Sequence, residues 1–169
     1  MSGFPPIIGG EPRILILGSM PGIKSLEAVE YYAHPQNAFW WIMAQLFELD
    51  LRADYPQRCR ALIRAGVAVW DVLHDCERPG SLDSSIVRGT EQVNDFASLF
   101  QAWPSIDVVG FNGQAAEKLF ARHCRFLSAR NPTLRFVTLP STSPANARSS
   151  RDAKLAVWRS QLMPNKHVY

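Results

Sequence analysis

Four short runs, apolar almost without interruption, constrain this chain more than any other feature. They are Arg13–Gly18 (RILILG), Gly66–Asp71 (GVAVWD), Ile106–Phe111 (IDVVGF) and Leu134–Pro140 (LRFVTLP). A strand with one wet face alternates apolar and polar residues; one that is apolar throughout is covered on both faces, as in a parallel sheet between helices. Between the runs lie stretches with helical spacing: Ala38–Phe47, Tyr55–Ala65, Val93–Trp103, Gly113–Ala121 and Asp152–Leu162. The alternation predicts a three-layer α/β/α sandwich around a mostly parallel four-stranded sheet. At 169 residues, with no internal repeat or linker, the chain reads as a single domain over residues 1–169.

Each run is followed by residues that break regular structure: GSMPG, WDVLHDCERPGSLDSS, FNGQ and PSTSPANAR. Loops after parallel strands all leave at one edge of the sheet, where open α/β folds bind ligands. Turn chemistry accounts for any one of them alone; four together predict a shared crevice. The charge balance of +3 permits a polyanionic partner without requiring one. No apolar stretch reaches transmembrane length, and MSGFPPIIGG lacks the plan of a secretion signal, so a cytoplasmic protein without membrane contact is expected. Three scattered cysteines without CxxC spacing argue against a disulfide framework, a zinc ribbon or an iron–sulfur cluster. His34, His74, His123 and His167 show no metal-binding spacing, and no metal or other cofactor is expected.

The first loop, GSMPGIKS, narrowly misses the phosphate loop of nucleotide hydrolases. Pro21 has no N–H to give a phosphate, and Ile23 separates Gly22 from Lys24 where that motif needs them adjacent. Nucleotide hydrolysis is therefore set aside.

Taken in order, ILGSMPG, AHPQNAFW, GFNGQAAEKLF and LPSTSPANAR resemble the motifs of the uracil-DNA glycosylase superfamily, over about Ile14 to Arg148. Met20 stands where the mismatch-specific uracil and thymine enzymes carry asparagine, and VWDVLHDCERPGSLDSSI is similar to the corresponding stretch of the hypoxanthine-DNA glycosylase branch, family 6. The resemblance implies an enzyme that flips a deaminated base from DNA and hydrolyses its N-glycosidic bond, leaving an abasic site; nothing in the sequence desolvates Lys24 for a Schiff base, so a monofunctional enzyme is expected, and a monomer. Hypoxanthine is the favoured base, with uracil the alternative. A DNA-binding module that lost catalysis with the residue at Met20 is the competing reading.

The same resemblance distributes the roles. A thioether cannot orient water, so Met20 and Gly22 keep only a base-binding part, through backbone close to the flipped base. The resemblance assigns the catalytic role to Asn37; spacing alone equally allows it to cap the helix that follows. Tyr32 is expected to stack on the extruded base, with Tyr31 as the neighbour that could replace it, and at least two of Phe39, Trp40 and Trp41 to pack in the core. Asp83 and Ser84 are candidates for the base pocket, whereas Asp71, Asp75 and Glu77 read as solvated acids. Ser141, Thr142 and Ser143 could donate to phosphate, Arg148 and Arg151 supply charge, and Ala145 with Asn146 occupies the place of a wedge. Asn112 could read the lesion with its amide, giving its NH2 to the base carbonyl and taking the ring proton. Its other readings are a left-handed residue before Gly113 or a helix cap.

Overall fold

The computed structural model describes residues 1–163; His167 lies outside the described residues. Four strands, β1 (Ile14–Gly18), β2 (Val67–Asp71), β5 (Val108–Asn112) and β6 (Arg135–Leu139), form one parallel sheet in the order β2-β1-β5-β6. The register runs Ile14 to Val67 on one side of β1 and Ile14 to Val108 on the other.

Successive side chains of a strand face opposite ways, and the apolar runs use both faces. Leu15 and Leu17 join one core with Phe111, Phe96 and Phe100 of α4 (Phe96–Ala102), Leu119 and Phe120 of α5 (Gln114–Cys124), and Leu127 of α6 (Phe126–Arg130). Ile16, between them, joins the other core with Phe39 and Ile42 of α2 (Phe39–Phe47), Leu62 of α3 (Tyr55–Arg64), and Trp158 of α7 (Arg151–Leu162). The three layers follow from these two cores. Phe39 and Trp40 are buried, and Trp41 is half-buried.

Helix starts are set by side-chain caps where the residue allows: Asp54 accepts from Gln57 N–H at 2.9 Å, Asp95 from Ser98 N–H at 3.0 Å and Ser150 from Ala153 N–H at 3.1 Å. The cap at Asp95 starts α4 at Phe96 rather than at Val93, because Gln92–Val93 (β4) pairs antiparallel with Leu73–Asp75 (β3). This small second sheet folds the long segment after β2 back toward the main sheet. At its tip, Asp83–Ser85 makes a short 3-10 turn. The expected helix from Gly113 continues to Cys124, and α1 (Ile23–Ala28) and α6 are additional short helices.

Candidate functional site

The strand order fixes where the site lies. From β1 the chain moves outward to β2, then returns to the other side of β1 at β5. Neighbouring strands that lead their connections in opposite directions leave a crevice at their C-terminal ends. There the four loops enclose a cavity of about 350 Å3, lined by residues from each of them. That is the lower part of the roughly 300–1,000 Å3 usual for small-molecule sites.

The floor is the β1 loop. Gly18 ends the strand, and a β-carbon there would come within 2.5 Å of Asp71 Oδ1 and 3.0 Å of the Tyr32 hydroxyl, so only glycine fits. Met20 is buried and lines the cavity with Gly22. The loop is held from behind by Arg78, whose buried guanidinium donates to the carbonyls of Met20 at 3.4 Å, of Pro21, and of Gly80 at 3.0 Å. Arg78 Nη1 also lies 3.9 Å from Asp83 Oδ1, which accepts the Ser19 hydroxyl at 2.6 Å. Ile23 N–H donates to Ser81 Oγ at 2.9 Å, joining the first and second loops again.

Asp83 lines the cavity; Ser84, exposed on the same 3-10 turn, is not among the lining residues. The reading of Asp71 as a solvated acid also needs correction: as the last residue of β2 it is 4% exposed and lines the cavity. Burial, and then the charge of Asp83, push its carboxyl up to about 7, with Arg78 opposing the rise. Asp75 accepts the Ser2 hydroxyl away from the site, and Glu77 is exposed.

Asn37 lies at the cavity wall, half-buried. Its Oδ1 accepts the N–H of Phe39, the first residue of α2, at 2.9 Å, although the cap position itself is Ala38. The amide is thereby held in one orientation, and its oxygen retains a second lone pair. Tyr32 has φ of +55°, a left-handed conformation unusual for an aromatic residue, and its ring stacks on Phe39 with centroids 4.1 Å apart. Tyr31 is core: it is 3% exposed, and its hydroxyl donates to the Pro5 carbonyl at 2.8 Å.

Asn112 lines the cavity, as expected, and its amide is anchored to the last loop. Its Oδ1 accepts the Thr142 N–H at 2.9 Å, and its NH2 donates to Thr142 Oγ1 at 2.9 Å. A backbone N–H can only donate, so Thr142 fixes the orientation of the amide, which keeps a second N–H and a second lone pair at the cavity lining. Asn112 is neither left-handed nor a cap; it closes β5, and Gly113, with φ of +96°, caps α5. Thr142 is in turn no free phosphate donor. It is 1% exposed, and its carbonyl accepts the Ala38 N–H at 3.0 Å, pinning the last loop to β5 and α2 together.

The rest of that loop is internally bonded. Ser141 Oγ accepts from Ser143 N–H and Ser143 Oγ from Ala145 N–H, both at 3.2 Å, and all three residues line the cavity. Asn146 donates to the Ser141 carbonyl at 3.2 Å and receives Lys154 Nζ on its own carbonyl at 2.8 Å. Asn146 and Arg148 lie outside the cavity lining, and Arg148 is exposed. Arg151 lies over the Trp41 ring, 4.4 Å from its centroid.

Arg78 was not anticipated from the sequence. The only signal is a basic residue in an otherwise acidic and small-residue loop, DCERPGS.

Comparison with known proteins agrees with this architecture. The family model for the uracil DNA glycosylase superfamily matches residues 5–161. A protein named hypoxanthine DNA glycosylase from Methanosarcina barkeri is 35% identical over 90% of this chain and 92% of its own length. One of the same name from Methanosarcina acetivorans is 33% identical over 89% of this chain and 90% of its own. The solution structure of a putative uracil DNA glycosylase from Methanosarcina acetivorans superposes with a TM-score of 0.75 at 31% identity, covering 95% of this chain and 98% of that one. With its parallel sheet, its four-loop crevice and these matches, the chain belongs to the uracil DNA glycosylase superfamily. Its class of enzyme is the DNA glycosylase, a hydrolase of N-glycosyl bonds. Among the described residues, no helix is long and apolar enough to cross a membrane.

Proposed function

We propose that this glycosylase removes hypoxanthine from DNA, with water positioned by Asn37 as the nucleophile. The observation that carries the reading is the Asn37 amide: it lines the cavity, and its orientation is set by the 2.9 Å bond to Phe39 N–H. A fixed amide can accept a hydrogen bond from water on its remaining lone pair without itself changing charge. Water so held attacks the anomeric carbon as the bond to the base breaks; the base leaves with the bonding electrons, the surplus proton of the water passes to it through solvent to give neutral hypoxanthine, and the amide costs no reorganisation at that moment. Met20 offers no comparable acceptor, and Lys24, exposed and paired with Glu27 at 3.5 Å, is not in the desolvated setting that a Schiff base needs.

The cavity suits one extruded base, and Tyr32 supplies an aromatic wall. Stacking on such a ring is worth roughly 1–3 kcal/mol per base and offsets part of the few kcal/mol spent on unstacking it from the duplex. Ser141, Ser143 and Ala145 at the rim, with Arg148 and Arg151 beyond, are the parts that would meet the DNA backbone. The name of the two Methanosarcina relatives, hypoxanthine DNA glycosylase, supports hypoxanthine as the base in this reading.

The test is direct. Duplexes carrying a single deoxyinosine or a single deoxyuridine are incubated with the protein, treated with alkali and resolved by length. Cleavage at deoxyinosine, faster than at deoxyuridine, is expected. Bound but intact duplex in both cases would replace the reading with that of a DNA-binding module.

A further inference from the structure

Beside the base cavity, and sharing Tyr32, His34 and Asn37 with it, lies a second cavity of about 330 Å3. Trp40 and Trp41 of the first turn of α2 line it, with Arg58 of α3 and Arg151, the first residue of α7. Each arginine lies over one indole. The Arg58 guanidinium carbon is 4.5 Å from the Trp40 ring centroid, and that of Arg151 is 4.4 Å from the Trp41 centroid. A guanidinium stacked in this way uses its face, while its N–H groups, which lie in its plane, stay free to donate. Among the described residues neither arginine is in an ion pair, although Glu30 also lines the cavity. Arg58 Nε is buried with no hydrogen-bond partner. A buried donor left unpaired costs free energy, so this one points to an acceptor that the chain itself does not supply.

We propose that this second cavity grips a phosphodiester of the damaged strand, next to the flipped nucleotide, between Arg58 and Arg151. The inference rests on the reading of the neighbouring cavity as the base pocket and of Asn37 as the residue that holds water at the sugar. The deoxyribose then sits at Asn37, on the wall that the two cavities share, and its own phosphates are the nearest anions. The planar fork of a guanidinium meets two phosphate oxygens at once, and such charge-assisted bonds are roughly twice as strong as neutral ones. The indole behind each arginine keeps water from one of its faces, which strengthens its attraction for an anion. His34 adds a neutral donor on the shared wall: its Nδ1 accepts the Gln36 N–H at 3.1 Å, which leaves the proton of the neutral ring on Nε2.

A phosphate held there does more than add affinity. It fixes where the sugar lies relative to the water on Asn37, so Arg58 and Arg151 act as positioning residues for the reaction. Arg148 differs from them: it is exposed and lines neither cavity, and its attraction for the strand is screened by salt. A purely structural part for Arg58 is to cover Trp40 and Tyr55, whose ring centroid is 5.7 Å away. That part would support the packing of α2 on α3 and would be indifferent to DNA.

The probes are duplexes carrying one 2′-fluoro-2′-deoxyinosine, whose glycosidic bond resists cleavage, with the phosphate on one side of it or the other replaced by an uncharged methylphosphonate. Wild-type affinity should fall about tenfold for one of the two replacements. Arg58→Gln and Arg151→Gln should each bind the natural backbone several-fold more weakly and lower the salt slope by about one. Each should also lose most of the sensitivity to that methylphosphonate. Arg151 is exposed, so its variant carries the test if Arg58→Gln does not fold. Folded variants as sensitive as the wild type, or a wild type indifferent to both replacements, would overturn this inference; with excision of hypoxanthine intact, the proposed activity would still stand. A wild type that excises no hypoxanthine would instead overturn the reading of the base pocket, and this inference with it.

Discussion

Asp71 carries its carboxyl in the interior, with Oδ2 bonded to nothing, and such a group resists ionisation. Its folded-state pKa of about 7 lies above the ordinary value of 3.8. Between those two values the folded chain keeps a proton that the unfolded chain has released. Stability therefore falls as pH rises from about 4 to about 7, at up to about 1.4 kcal/mol per pH unit for one proton, and is then level. Asp71→Asn removes this loss because its amide does not titrate. The melting temperature of the variant relative to wild type should thus be higher at pH 8 than at pH 4.5. An equal difference at both values would mean that Asp71 is ordinarily ionised in the fold. Asn37 shows the complementary economy at this scale: one bond to Phe39 N–H both supports the start of α2 and fixes the amide.

Among the elements, Arg78 joins the first loop to the second. Its fork reaches three carbonyls, those of Met20, Pro21 and Gly80, in addition to its charge beside Asp83. Lysine keeps the charge but not the fork. Arg78→Lys should cost about 1–3 kcal/mol of stability through carbonyls left unpaired and should slow excision, read as melting temperature and single-turnover rate. Wild-type excision by this variant would show that the β1 loop holds its shape without the fork. The bond from Arg78 to Met20 spans 58 residues, and nothing local announces such a partner. The four strands, in contrast, were legible, because continuous apolar runs such as ILIL have few alternatives once helices flank them. The helices α1 and α6 run for six and five residues, too short to show a period, and β4 has only two. Asn112 and Thr142 were both placed at the crevice by their loops, but their bonding to each other is a tertiary fact: strand ends converge in ways that turn composition does not encode. Asp71 was misread for the same reason, since the segment covering it returns to the sheet only through the β3–β4 pairing.

For the molecule as a whole, the order β2-β1-β5-β6 makes one crevice out of four loops far apart in sequence. Two cores hold the sheet rigid beneath it, and Thr142 ties the last loop to β5 and to α2. On the proposed reading, preorganisation of this kind would let a neutral amide act: Asn37 would need only to hold water in place while the rest of the fold held the base. The most direct measurement compares single-turnover excision of hypoxanthine from a deoxyinosine duplex by wild type, Asn37→Ala and Met20→Ala, with melting temperatures taken alongside. The rate should fall by about a hundredfold or more for Asn37→Ala, as for loss of one positioned polar group, with most of the melting temperature retained and with Met20→Ala far less affected. Equal or larger loss at Met20, or near-wild-type excision by Asn37→Ala, would contradict the account.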